Sequence, residues 1–90
     1  MTREKLIHGV IHVYDRQARS DVVAAFKIAG WKPRKRGADT GYDYLSKSEC
    51  DGDTPRYITS GTEAQVERLL AALDRILQEG GGGFDAYLYG

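Results

Sequence analysis

Four cations stand in five positions next to a tryptophan: Lys32, Arg34, Lys35 and Arg36 beside Trp31. A run of this kind contacts phosphate oxygens in nucleic-acid-binding proteins, where the ring adds a stacking surface. It also describes a solvated edge strand whose charge blocks aggregation. A second grouping joins histidine and tyrosine: His8, His12 and Tyr14 near the start, Tyr87 and Tyr89 near the end. Tyrosine offers a large contact area with a polar tip, so such a set fits a protein interface. Exposed aromatics on a sheet also stack bases in RNA-recognition modules.

Other chemistry is weaker. His8 and His12 at i, i+4 would share a face on a helix and could grip zinc. On a strand, positions i and i+4 lie about 13 Å apart, far too distant for two nitrogens each about 2 Å from one ion. Cys50 lies among carboxylates in Glu-Cys-Asp-Gly-Asp, which raise a thiol's pKa and blunt its nucleophilicity. Asp51 and Asp53 lack the glutamate and the spacing of a calcium loop. The glycines at 80–83 follow a helical pattern and precede a strand pattern. Phosphate loops run the other way, from strand to helix N-terminus. No serine–histidine–acid grouping is legible. The expectation is a domain without catalytic residues, cofactor or metal.

The elements that position these residues follow from periodicity. Residues 6–14 alternate, with Ile7, Gly9, Ile11 and Val13 on one side and His8, Val10, His12 and Tyr14 on the other, which predicts a strand. Residues 15–29 change period: Ala18, Val22, Ala25, Phe26 and Ala29 fall at helical spacing, with Asp15 or Ser20 as cap and Gly30 as stop. Residues 31–37 read as a second extended segment, placed at a sheet edge by Pro33. The turn-forming residues 37–41 lead into a third, residues 42–48, as a hairpin. Tyr42 and Tyr44 are candidates to join the aromatic face. Residues 56–59 read equally as a short strand or a connection. Thr62 and Gln65 form a capping box ahead of a stripe of Val66, Leu69, Leu70, Leu73, Ile76 and Leu77. Gly80 ends that helix, and residues 84–89 close the chain as a strand.

The order β-α-β-β-α-β in 90 residues predicts one ferredoxin-like α+β domain, with two helices on one face of an antiparallel sheet and the other face open. Two copies could meet through that open face. Hydrophobic residues make up 41% and charged residues 29% of the chain, ordinary for a globular domain. No apolar run reaches the roughly 20 residues of a membrane span, and the mixed-charge start is no secretory signal. With one cysteine, this favours the cytoplasm. Net charge is zero, yet residues 1–40 hold nine Lys/Arg against four Asp/Glu and residues 41–90 the reverse.

The order His-Val-Tyr-Asp, helix, Ala-Gly-Trp, then a long helix and Gly-Gly-Gly-Phe-Asp-Ala-Tyr resembles the ribonuclease E activity regulator B family over about residues 8–89. Gly81 and Gly82 match that family's glycines, Phe84 its aromatic and Asp85 its aspartate. Ala86 and Tyr87 stand where the family has Gly-Trp. The resemblance implies a ferredoxin-like fold and a small regulator that binds an enzyme, a nuclease among the candidates, and inhibits it. Well-known members are acidic and carry an N-terminal extension; this chain is neutral. An inhibitor carried by a phage or other mobile element would share these features. The alternative from the residues alone is an RNA- or DNA-binding module.

Overall fold

The computed structural model describes residues 5–89. The chain runs β1 (Ile7–Val13), α1 (Arg16–Ile28), β2 (Gly41–Leu45), a single 3-10 turn (Lys47–Glu49), β3 (Arg56–Gly61), α2 (Glu63–Gln78) and β4 (Phe84–Tyr89). The sheet order is β2-β3-β1-β4 and every pairing is antiparallel. Both helices cover one face, which is the ferredoxin-like arrangement.

Local chemistry sets the helix ends. The Asp15 carboxylate accepts the Ala18 N–H at 2.6 Å and starts α1. At α2, the Thr62 N–H donates to Gln65 Oε1 at 2.9 Å and the Gln65 N–H to Thr62 Oγ1 at 3.3 Å. Gly30 and Gly80 follow the helices at φ 79° and 90°, where a side chain would clash with its own backbone.

Alternation in β1 holds as read: Ile11 and Val13 are buried beneath the helices. The core joins them to Val22, Ala25 and Phe26 of α1 and to Val66, Leu69 and Leu73 of α2. Its centre is aromatic. Phe26 stacks on Tyr42 at 4.0 Å between ring centroids and meets Tyr57 edge-on at 5.5 Å and Trp31 at 5.7 Å.

Three expectations change. Residues 31–37 form no strand and no hairpin with residues 42–48. Pro33 makes only an isolated bridge to Tyr42, with the Arg34 N–H donating to the Tyr42 carbonyl at 2.9 Å and the Tyr42 N–H to Lys32 at 3.2 Å. The Pro33 nitrogen faces away from β2, and the pairing stops after one bridge because the chain turns, with the Ala38 N–H donating to the Lys35 carbonyl at 2.9 Å. The segment instead lies along the outer edge of β2. Its anchor is Trp31, 3% exposed, whose indole N–H donates to the Gln65 carbonyl at 2.9 Å. Residues 56–59, left open between strand and connection, belong to β3, a central strand between β2 and β1. Tyr42 and Tyr44 point toward the helices, because the register sets Tyr42 against Thr59 and Tyr44 against Tyr57, both on the inner side. Arg19 lies over the Tyr44 ring at 4.1 Å.

Candidate protein-binding face

The helix-free face of the sheet brings together side chains from all four strands. The register places them in three rows. The central row is Asp43, Ile58, Val10 and Tyr87. One flanking row is Leu45, Arg56, His12 and Asp85; the other is Gly41, Ser60, His8 and Tyr89. Neighbours within a row stand about 5 Å apart. The result is an apolar middle of Ile58, Val10 and the Tyr87 ring, half-covered at its sides and framed by polar groups. Tyr87 and Tyr89 are 56% and 59% exposed and Tyr14 is 57% exposed. These are large rings for a surface to leave in water.

All five residues expected at a partner face, His8, His12, Tyr14, Tyr87 and Tyr89, lie on this side. His12 meets the Tyr87 ring edge-on at 5.9 Å. The Tyr14 hydroxyl donates to Asp85 Oδ2 at 2.6 Å. That hydrogen bond, reinforced by the carboxylate's charge, raises the Tyr14 pKa above the usual tyrosine value. Burial raises Tyr57 as well, opposed by the Arg19 guanidinium. Two phenols therefore titrate late. Sequence reading missed Val10, Ile58, Leu45, Arg56 and Asp85 as members of the face. Val10 was already on the correct side by alternation. So was Asp85, on the same side of the closing strand as Tyr87 and Tyr89; Leu45 needed the register, and Ile58 and Arg56 the assignment of β3.

A raised phenol pKa fixes the sign of the pH effect. The Tyr14–Asp85 bond is intact below the unfolded tyrosine pKa and is lost as pH rises through the higher folded value. Asp85→Asn removes the anion that holds the proton. In an alkaline titration followed by phenolate absorbance, Asp85→Asn should move one late-titrating tyrosine to lower pH and leave Tyr57 late. An unchanged titration curve would contradict the Tyr14–Asp85 pairing.

The expected anion-binding set is not brought together as a unit. Trp31 is in the core. Arg34 is engaged by Asp43, Nε to Oδ2 at 3.5 Å. Lys32 and Lys35 line a shallow groove of about 290 Å³ with Gly30, Pro33, Thr40 and Gln65, while Arg36 projects exposed from the loop. Cys50 is half-buried, its thiol against the Leu45 carbonyl at 3.6 Å. Among the described residues, no three His, Cys, Asp or Glu side chains converge to hold a metal ion, and no helix is long and apolar enough to cross a membrane.

Arg56 Nε and Ser60 Oγ carry shielded polar atoms with no hydrogen-bond partner among the described residues. Both residues belong to the flanking rows of the open face. Comparison with protein-family models, with curated proteins and with solved structures finds no match.

Proposed function

We propose that this domain is a non-catalytic cytoplasmic regulator that binds an enzyme through the open sheet face and inhibits it. The observation that carries the reading is the continuous stripe of Ile58, Val10 and Tyr87 across three adjacent strands, framed by His8, His12, Tyr14, Arg56 and Tyr89. An apolar centre with an aromatic anchor and a polar rim is the anatomy of a protein interface. A partner that supplies acceptors near Arg56 would gain charge-assisted hydrogen bonds at the rim. The short resemblance to a family of nuclease regulators points to the same class of target.

Affinity capture with wild-type domain, with Tyr87→Ala and with the helix-side variant Arg68→Ala tests this. One enzyme should be retained by wild type and Arg68→Ala, and adding pure domain should lower its activity. Tyr87→Ala should weaken that binding by about 30-fold or more, the range of a truncated aromatic hot spot. Equal capture by Tyr87→Ala and wild type would remove the open face from the account.

A nucleic-acid reading rests on the separate basic loop. With Trp31 buried and Arg34 paired, Lys32, Lys35 and Arg36 remain to meet phosphate. Titration with a single-stranded oligonucleotide at several salt concentrations distinguishes the two. The protein-binding reading expects weak binding that salt abolishes. Tight binding lost on Lys32→Glu with Lys35→Glu would favour the nucleic-acid module instead.

A further inference from the structure

The two edges of the sheet are treated differently. The outer edge of β2 is occupied by the segment around Pro33 and lined with Lys32, Arg34 and Lys35. No described residue pairs with the outer edge of β4. That strand, Phe-Asp-Ala-Tyr-Leu-Tyr, has no proline, lysine or arginine to blunt it.

The register shows which groups the bare edge presents. The Tyr14 N–H donates to the Gly83 carbonyl at 2.8 Å, so this is a hydrogen-bonded pair. Hydrogen-bonded and open pairs alternate along an antiparallel ladder. Asp85, Tyr87 and Tyr89 therefore direct their backbone groups at β1. Phe84, Ala86 and Leu88 direct theirs outward. The same residues send their side chains toward the helix layer. There, Leu70, Leu73 and Leu77 of α2 form a largely apolar groove of about 480 Å³ with Phe84 and Ala86, which Asp74 and Asp85 also line. Leu70 and Leu77 are 45% and 50% exposed, although they belong to the helix's own apolar stripe. An unpaired strand edge and an unfinished helix flank thus lie side by side.

We infer that this edge is a homodimer interface: two copies join β4 to β4 antiparallel, extending the sheet across a twofold axis, and pack their α2 flanks together. A twofold axis perpendicular to the sheet requires opposed residues to share a face. Among such registers, the one with the most hydrogen-bonded pairs sets Ala86 against Ala86, and Phe84 against Leu88 of the second copy. About six backbone hydrogen bonds result, two for each hydrogen-bonded pair. The smallest side chain falls on the axis, where two copies crowd most. Asp85 faces Tyr87 of the second copy rather than another carboxylate, so no like charges are opposed across the strands. The β4 edge is about 20 Å long. With the helix layer above it, each copy covers on the order of 600 Å², at the low end for a stable complex. A single extended peptide would satisfy the strand edge but bring no helix to cover Leu70 and Leu77. The open face stays free on both copies, so this interface is separate from the proposed enzyme-binding surface.

Sedimentation equilibrium across about 1–500 µM should show a monomer–dimer equilibrium with a dissociation constant on the order of 10 µM. Ala86→Pro removes an N–H that β1 does not use, a position where an edge strand accepts proline. It should raise the dissociation constant at least about tenfold while leaving the monomer folded. Leu70→Glu, on the exposed helix flank, should do the same and serves if Ala86→Pro fails to fold. Hydrogen exchange gives an independent readout. The amides of Phe84, Ala86 and Leu88 should exchange slowly only at concentrations where the dimer forms, whereas those of Asp85 and Tyr87 should be protected throughout. A monomer over the whole range would overturn the inference. So would a dimer that survives both Ala86→Pro and Leu70→Glu, or one abolished by Val10→Glu and not by either edge variant.

Discussion

Phe26→Ala should lower the stability of the domain by about 3–5 kcal/mol, the usual cost of emptying a large buried aromatic site. Phe26 is fully buried and contacts three other rings: stacked on Tyr42, edge-on to Tyr57, tilted against Trp31. Those rings belong to β2, β3 and the segment after α1. Their removal from Phe26 therefore uncouples helix from sheet. Rings held in a stack relax poorly into a void, which keeps the cavity open and the cost high. A domain of this length has about 5–13 kcal/mol in total, so the variant loses a large share of it. The melting temperature should fall by roughly 12–40 °C at 4–8 °C per kcal/mol. Phe26→Leu, which keeps most of the volume, should cost clearly less than Phe26→Ala. Urea unfolding checks both: the midpoint should drop with an unchanged slope. A loss below about 1 kcal/mol for Phe26→Ala would mean that the aromatic cluster is not the centre of the core.

Gly9→Ala should destabilise by about 1–3 kcal/mol, the cost of an overpacked core site. Gly9 sits in the middle of β1 between two paired strands. A Cβ there would press on Leu88 Cδ2 and come within 2.9 Å of the Tyr87 carbonyl and 3.0 Å of Thr59 Oγ1. The leucine tip can swing away. The Tyr87 carbonyl cannot, because it is part of the sheet itself. Strain should therefore collect in β4, and hydrogen exchange at Asp85 and Tyr87 should accelerate more than at β3 amides. Leu88→Ala combined with Gly9→Ala should show less loss than the two single changes added together, since the first contact is then gone. Strict additivity would contradict the contact.

The parts of the fold visible in sequence were those with a local signature. Both helices carry a cap residue and a period of three and four, and β1 alternates without interruption. The stretch 31–37 reads as extended because it lies between a helix-ending glycine and turn-forming residues and holds a proline. Its tryptophan is instead drawn into the core, and the turn at residues 35–38 ends the pairing with β2. The dipeptide Ser60-Gly61 has the composition of a turn. Gly61 is in fact the last residue of β3, glycine because the Trp31 indole stands 2.6 Å from where a Cβ would be. That contact joins residues thirty apart, and no local pattern encodes it. The site divides in the same way. His8, His12 and Tyr14 followed from alternation in one strand, and Tyr87 and Tyr89 from another. Joining them to Ile58 and Arg56 required knowing that β3 lies beside β1. The outward turn of Leu70 and Leu77 was hidden because a stripe of six apolar residues is wider than the face the sheet covers.

The central claim is that the open sheet face, and not the basic loop, is the surface that meets the partner. Side-chain footprinting of the captured complex tests it most directly. Histidine and tyrosine labelling with mass-spectrometric readout reports His8, His12, Tyr87 and Tyr89. Amine labelling on the same sample reports Lys32 and Lys35. The account predicts that the histidines and tyrosines label readily in the free domain and are shielded in the complex, with the two lysines unchanged. Shielding of Lys32 and Lys35 with free labelling of His12 and Tyr87 would contradict it.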